Sequence, residues 1–494
     1  MKKYILALDQ GTTSSRAIIF REDGTPVHTV QHEFTQYFPK NGWVEHDAME
    51  ILSTELGAAR ECMLYIGADA SDVSCIGITN QRETVVMWDK QTGEPVYHAI
   101  VWQCRRTAEY CDELLREGMG ETIKSKTGLL PDAYFSATKI KWLLDNIDGV
   151  RGRAERGEIL VGTVDTWLLW NLTSGKVFAT DVTNASRTML YNIHKMEWDD
   201  ELLHFFGIPR CILPKVMPSS GIFGCADAKF FGSEIPISGI AGDQQSALFG
   251  QGCIETGDVK NTYGTGAFLL MNTGNRPVTS RSGLLTTVAW QIGSEATYAL
   301  EGSVFVCGSV IQWLRDELKI IDSASETEKI AKSVASTDGV YLVPAFVGLG
   351  APYWDPYARG ALLGVSRGTS RAHIVRATLE GIAFETCDVL SSMENDVGVR
   401  IHSLAVDGGA SANNFLMQTQ ADFAGVKILR PVCTESTALG AAMLAALGVG
   451  IYSSPSEIAA HHKIEREFAP EITTEARELA LSGWHDAVSR VLKR

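Results

Sequence analysis

The stretch Tyr4-Ile-Leu-Ala-Leu-Asp9-Gln10-Gly11-Thr12-Thr13-Ser14-Ser15-Arg16-Ala-Ile-Ile-Phe20 holds two apolar runs separated by Gly and hydroxyl-bearing residues, the pattern of two strands joined by a tight turn. The make-up of that turn bears on chemistry as well as shape. Gly11 lets the backbone approach a ligand, exposed amides and hydroxyls can donate to phosphate oxygens, and Asp9 at the strand end can hold a metal through water. An ordinary hairpin turn uses the same residue types, so a single tip decides little. A second hairpin of the same kind follows in mid-chain: Asp258-Val-Lys-Asn-Thr-Tyr-Gly264-Thr265-Gly266-Ala-Phe-Leu-Leu-Met271. Two such tips facing each other would grip a polyphosphate between lobes. The repetition implies that each half of the chain begins with one device, with the boundary near Gly250 to Gly257 and halves of residues 1–250 and 251–494.

Outward from the hairpins, strands alternate with helices, which indicates an α/β fold. A further strand pair is expected around Ile76–Asn80 and Thr84–Trp88, with Gln81, Arg82 and Glu83 at its turn. Helical segments follow from about Thr107 to Asn146, and Val375, Leu379, Ile382, Leu390 and Met393 keep helical spacing along one long amphipathic helix. A length of 494 residues suggests more than one domain. Hydrophobic residues at 45% and charged residues at 21% are ordinary for globular proteins and exclude a disordered or fibrous chain. The net charge of −15, with no basic block, argues against nucleic acid as a partner. The ten cysteines form no Cys-x-x-Cys pair and are read as reduced, mostly buried thiols. The apolar run after Met1-Lys2-Lys3 stops at Asp9, short of a signal sequence. The longest apolar stretch, Ala438 to Tyr452, is too short to span a bilayer. No membrane insertion and a cytoplasmic location are therefore expected.

The common nucleotide signatures are absent from the sequence: there is no Gly-x-x-x-x-Gly-Lys-Ser/Thr loop and no Gly-x-Gly-x-x-Gly between a strand and a helix. Gly364-Val-Ser366-Arg-Gly368 matches a hydrolase nucleophile elbow, but Gly368-Thr369-Ser370 reads as a further turn and cap, whereas an elbow's helix starts directly after the serine. Asp407-Gly408-Gly409-Ala410-Ser411-Ala412-Asn413-Asn414 sits between a strand and a helix. It suits either close approach of a phosphate-bearing ligand or a plain Gly turn with an Asn cap. Asp243, after Ile237-Ser-Gly-Ile-Ala-Gly242, is either a helix cap or a carboxylate placed to take a hydroxyl proton during attack on a phosphoryl group. Arg82-Glu83 is either a surface ion pair of little worth or a donor and acceptor set for adjacent hydroxyls.

Taken together these segments resemble the FGGY carbohydrate kinases, from the first hairpin to beyond residue 450. Tyr134-Phe-Ser136-Ala-Thr-Lys139-Ile-Lys-Trp142-Leu-Leu-Asp145-Asn146 fits the first family signature. Gly360-Ala-Leu-Leu-Gly364 through His373-Ile-Val-Arg-Ala377-Thr-Leu-Glu380 fits the second. Asn80-Gln-Arg-Glu83, Val101-Trp102-Gln-Cys-Arg-Arg-Thr107 and Gly239-Ile-Ala-Gly-Asp243-Gln244-Gln245 resemble the members that act on glycerol more than those that act on pentuloses or gluconate. The resemblance implies two actin-like (ribonuclease H-like) domains with ATP in the cleft between them, Mg²⁺ as cofactor, and ATP-dependent phosphorylation of glycerol to sn-glycerol 3-phosphate and ADP. Under it, Thr12, Thr13, Ser14 and Arg16 match phosphate-binding positions of the first lobe, and Thr265, Gly308, Gln312, Gly409 and Asn413 match nucleotide positions of the second. Arg82, Glu83, Tyr134, Asp243 and Gln244 match polyol-binding positions, with Trp102 and Phe268 as an apolar wall. Asp243 matches the catalytic base, and Asp9 and Asp243 the metal positions.

One stretch departs from the family. Some members carry a Gly-rich loop whose Arg binds an inhibitory sugar bisphosphate, and others a phosphorylated histidine there. Here the loop is Ala226-Asp-Ala-Lys229-Phe-Phe-Gly232-Ser233-Glu234, without histidine and with Glu234 where that Arg would stand, so neither control is expected. Two other readings stay open at the level of sequence: a kinase for another short polyol or ketose, and a non-catalytic actin-like ATP-binding module. The second has no need of the polyol set. A homo-oligomer is neither implied nor excluded.

Overall fold

A computed structural model of the chain describes residues 3–492. Its first half contributes strands β1 (Tyr4–Gln10), β2 (Ser14–Arg21), β3 (Pro26–Glu33), β4 (Val73–Asn80), β5 (Ser220–Ala226) and β6 (Ile235–Gly242). The second contributes β7 (Val259–Tyr263), β8 (Ala267–Gly274), β9 (Leu285–Ile292), β10 (Glu295–Val304), β11 (Ser403–Asp407), β12 (Lys427–Pro431) and β13 (Ile464–Phe468). The first half is ordered β3-β2-β1-β4-β6-β5 and the second β10-β8-β7-β11-β12-β13, with β9 added outside β10. The senses repeat as well. In each half the opening hairpin is antiparallel, its first strand runs parallel to the next two, and the last strand is antiparallel. The two half-sheets meet at one bridge, Ser220 to Ile292. The internal repeat read from two hairpins thus extends to the whole topology.

Helices used below are α1 (Ala48–Tyr65), α2 (Ser136–Asn146), α3 (Asp243–Gly250), α4 (Gly308–Asp316), α5 (Arg371–Val397), α6 (Asn414–Ala424) and α7 (Ser436–Gly448). Each half has its own apolar core, with Leu6, Ile19, Ile51 and Ile76 in one and Leu269, Leu300, Ile382 and Leu404 in the other. A third cluster joins Ile5, Ile18 and Leu248 to Leu439, Ala442 and Leu444, so α7 of the second half buries its apolar surface on strands of the first. Helices α3 and α7, which follow the equivalent strands β6 and β12, pack on each other at the centre. Small residues permit this. A Cβ on Gly440 would lie 1.8 Å from the Ser246 carbonyl oxygen, and one on Gly250 would lie 2.1 Å from that of Ser436.

The expected strand pair after Ile76 is corrected. β4 is flanked on both sides by parallel neighbours, β1 and β6, and has no free edge for a hairpin partner. The chain leaves the sheet at residues 81–83, where Glu83 takes a left-handed φ of 61°, and Val86–Asp89 pairs instead with Ile159–Gly162 in a separate small sheet. The helices expected between Thr107 and Asn146 are present, as is the long amphipathic helix, which is α5. That helix begins at Arg371 behind a Ser370 and His373 capping box, five residues after Ser366, so no nucleophile elbow forms. Most of the ten cysteines are buried.

Candidate active site between the two halves

The sharp exit at the end of β4 places Arg82 and Glu83 inside the molecule, 2% and 1% exposed. Positive φ is costly for a residue with a side chain, and α2 holds it in place. Ser136 Oγ and Lys139 Nζ both donate to the Glu83 carbonyl, at 3.1 and 3.4 Å. Lys139 also donates to the carbonyls of Tyr134 and Phe135, at 2.5 and 3.2 Å. Burial lowers this ammonium to about 8. Arg82 Nε lies 3.1 Å from Asp243 Oδ1, and Nη2 donates to the Tyr134 hydroxyl at 3.3 Å. Burial raises the Glu83 carboxyl above its usual range, against the pull of Arg187 and Arg82.

Asp243 is the first residue of α3, one position inside the Gly242 cap. It is therefore not the N-cap that a bland reading would make it. Its Oδ1 accepts from the Gln244 backbone at 2.7 Å, while about a third of its side chain remains exposed. Gln244 receives a hydrogen bond at its Oε1 from Lys260 Nζ, 2.5 Å away, which leaves the amide nitrogen to act as a donor. Lys260 comes from β7 of the other half, and its burial lowers it to about 8, against the pull of Asp407 and Asp243. Trp102 stands edge-on to Tyr134, with centroids 5.5 Å apart, and its indole nitrogen donates to Thr12 Oγ1 at 3.0 Å. That bond ties the cluster of Arg82, Tyr134 and Asp243 to the first hairpin tip. Phe268 stands half-buried on β8 opposite Ser303, on the sheet face that also carries Glu301 of β10.

Two adjoining clefts share Gly409 and Ala412. One, of about 500 Å³, is lined by Thr265, Gly308, Gln312, Gly409 and Asn413, which brings together every second-lobe nucleotide position expected from sequence. Asn413 caps α6 by accepting from the Leu416 amide. The other, of about 630 Å³, is lined by Asp9, Arg16, Thr262, Asp407 and the start of α7. Strand-end residues of both repeated hairpins, Asp9 and Arg16 of the first and Thr262 of the second, thus line one cleft. Thr12 and Thr13 lie at the first tip and Ser14 opens β2, but none of the three lines either cleft.

Asp9 is 8% exposed. Burial lifts its carboxyl to about 6 against the pull of Arg16, with Glu435 and Asp243 adding to the rise. A buried carboxylate beside Arg16, with Glu435 and Asp243 near it, can help to hold a cation. Among the described residues no three His, Cys, Asp or Glu side chains converge on a metal position. A cation here would draw instead on phosphate oxygens and water, the coordination Mg²⁺ favours.

Sequence reasoning missed Arg187 and Glu301, both fully buried against Arg82 and Glu83. The signal that could have flagged Glu301 is a lone acid in the otherwise uncharged run Ala296–Val304. The fold also brings to the 226–234 loop charge that its own sequence does not carry. Arg60 of α1 donates to the Phe230 carbonyl at 2.9 Å and Lys176 lies 3.8 Å from Asp227, so the fold adds two cations to the single Lys229. Phe230 and Phe231 pack on the first-half core.

The topology and this site define a class. Residues 4–250 match the N-terminal domain, and residues 259–449 the C-terminal domain, of the FGGY family of carbohydrate kinases, and the chain belongs to that family. It is 58% identical over 490 residues to glycerol kinase 1 of Clostridium tetani, covering 99% of this chain and 98% of that protein. It is likewise 58% identical over 490 residues to glycerol kinase 2 of Thermotoga maritima, covering 99% of each. The solved structure of Plasmodium falciparum glycerol kinase with ADP matches at a TM-score of 0.94 and 38% identity, over 99% of this chain and 98% of that one. A xylulose kinase from Lactobacillus acidophilus shares the fold at 21% identity and a TM-score of 0.90.

Proposed function

We propose that this chain phosphorylates glycerol with ATP, giving sn-glycerol 3-phosphate and ADP. The observation that carries the reading is the placement of Asp243, held between Arg82 and the Gln244 amide where the polyol-type cluster approaches Asp9. Glycerol offers three hydroxyls and little apolar area, so selectivity must come from paired donors and acceptors whose burial penalises an unmatched ligand. Arg82, Glu83, Tyr134 and the Gln244 amide supply such groups, and Trp102 with Phe268 forms the wall for the carbon chain.

In the transfer, a terminal hydroxyl oxygen forms a bond to the γ-phosphorus and the bond from that phosphorus to the bridging oxygen breaks. ADP leaves with the electron pair, and Asp243 takes the hydroxyl proton. Thr12, Thr13, Ser14 and Arg16 bind phosphate from one side. Thr265, Gly308, Gln312, Gly409 and Asn413 hold the nucleotide from the other. Asp9 and Asp243 would hold Mg²⁺, which when bound neutralises charge on the β- and γ-phosphates. We take the halves as residues 1–250 and 251–494 and place the enzyme in the cytoplasm with its ATP. Among the described residues no helix is long and apolar enough to cross a membrane.

A panel of glycerol, dihydroxyacetone, erythritol, D-xylulose and D-gluconate, read by coupled ADP release, tests the proposal. Glycerol should give the highest kcat/KM, with the phosphate on the sn-3 hydroxyl. A higher kcat/KM for a pentulose or for gluconate would overturn the assignment, and ATP binding without turnover of any polyol would favour a non-catalytic module.

A further inference from the structure

Behind the substrate-facing side chains lies a chain of alternating charges, Asp243–Arg82–Glu301–Arg187–Glu83. Glu301 Oε2 accepts from Arg82 Nη1 at 2.5 Å and its Oε1 accepts from Nη2 at 3.1 Å, a two-bond fork that fixes the guanidinium plane. With both terminal nitrogens so engaged, Arg82 turns its Nε towards Asp243. Glu301 Oε1 also accepts from Arg187 Nη2 at 2.9 Å, and Arg187 Nε donates to Glu83 Oε1 at 2.6 Å. The Arg187 guanidinium is held further by the rings of Tyr134 and Phe135, 5.6 and 5.2 Å away. Both side chains have zero exposure, and neither lines either cleft.

We propose that Glu301 and Arg187 are positioning residues that set the orientation of Arg82 and Glu83, so that the polyol pocket is assembled jointly by both halves of the chain. This rests on the reading of Arg82 and Glu83 as polyol-binding residues. Glu301 stands on β10 of the second half, while the four residues it organises directly or through Arg82 and Arg187, namely Arg82, Glu83, Tyr134 and Asp243, belong to the first. Stability alone is a poor account of the pair. Buried ion pairs seldom stabilise more than apolar side chains of the same volume, and Arg187 Nη1 has no hydrogen-bond partner among the described residues. Orientation is what an apolar replacement would not supply. Without Glu301, Arg82 would keep only neutral acceptors, Gln245 Oε1 and the Tyr134 hydroxyl, at its terminal nitrogens and would be drawn towards Asp243 and Glu83, so that both of those carboxylates would lose their fixed geometry towards a ligand.

The test is a double-mutant cycle on the full chain with Arg82→Ala and Glu301→Gln, read as KM for glycerol, KM for ATP, kcat and Tm. Glu301→Gln should raise KM for glycerol at least tenfold and leave KM for ATP within about twofold. It should add little once Arg82 is already Ala, because it acts through that residue. Glu301→Asp, which keeps the charge, should recover part of the loss. If Glu301→Gln fails to fold, Glu301→Asp and Arg187→Lys carry the same test, each with an expected rise in KM for glycerol and not for ATP. A lower Tm and kcat with KM for glycerol unchanged would mark a structural role and overturn the inference, as would full additivity with Arg82→Ala. Should Arg82→Ala itself leave KM for glycerol unchanged, the polyol-site reading fails first and the inference falls with it.

Discussion

Asp243→Asn separates proton transfer from glycerol binding. Asparagine keeps an oxygen at the Oδ1 position, where the Gln244 amide (2.7 Å) and Arg82 Nε (3.1 Å) can still donate to it. The helix start and the set of Arg82 are therefore retained. What is lost is the negative charge, and Arg82 keeps Glu301 and Glu83 as partners. Binding should weaken by no more than the difference between a charged and a neutral hydrogen bond, about 1 kcal/mol or about fivefold in KM for glycerol. Turnover loses its general base, a contribution of about 10²–10⁴ in rate, or about 3–5 kcal/mol in barrier. The assay is initial-rate ADP release at saturating ATP across a glycerol titration, with Tm measured in parallel. A kcat within about threefold of wild type would refute the assignment of Asp243 as base. A fall in kcat/KM that comes entirely from KM would move Asp243 from chemistry to binding.

Three further outcomes follow from the packing and electrostatics. Gly440→Ala would raise helix propensity, yet its Cβ would lie 1.8 Å from the Ser246 carbonyl oxygen, so Tm should drop by several degrees at a cost of about 1–3 kcal/mol or more; an unchanged or higher Tm would contradict the central helix contact. Trp102→Phe keeps an aromatic wall but removes the indole bond to Thr12, so kcat should fall about two- to tenfold, the worth of one neutral hydrogen bond, with KM for glycerol little changed in the same steady-state assay. Glu385 is buried and its carboxyl is pushed up to about 8 by burial, with Asp388 adding to the rise. The native state thus holds a proton that the unfolded chain releases near the usual carboxylate range, and this group's share of stability is present at low pH and lost as pH rises through about 8. Glu385→Gln should therefore gain Tm relative to wild type between pH 5 and 9 on scales set by that shift, and parallel Tm curves across that range would refute it.

The repeated hairpins were readable from sequence because each places apolar runs around a Gly and hydroxyl tip, a local pattern that needs no tertiary partner. The same holds for the Gly408-Gly409 turn and for Asp243 after its strand. The strand pair after Ile76 was misread because pairing is a property of the sheet. Alternation within Thr84–Trp88 cannot reveal that β4 is already flanked by β1 and β6. Arg187 and Glu301 escaped for a related reason. They come from segments 114 residues apart, Arg187 meeting Glu83 within the first half and Glu301 reaching Arg82 from β10 of the second. The 226–234 loop makes the same point in charge, since Arg60 and Lys176 reach it from elsewhere in the chain.

The central claim is that a glycerol hydroxyl meets the γ-phosphate beside Asp243. A crystal structure of the chain with glycerol and a non-hydrolysable ATP analogue tests it most directly. A terminal hydroxyl should lie within about 2.6–3.2 Å of an Asp243 carboxylate oxygen and in line with the γ-phosphorus. The other two hydroxyls should be held among Arg82, Glu83, Tyr134 and Gln244. Glycerol bound away from Asp243, or a γ-phosphate placed where no hydroxyl can reach it in line with both lobes engaged, would contradict the account.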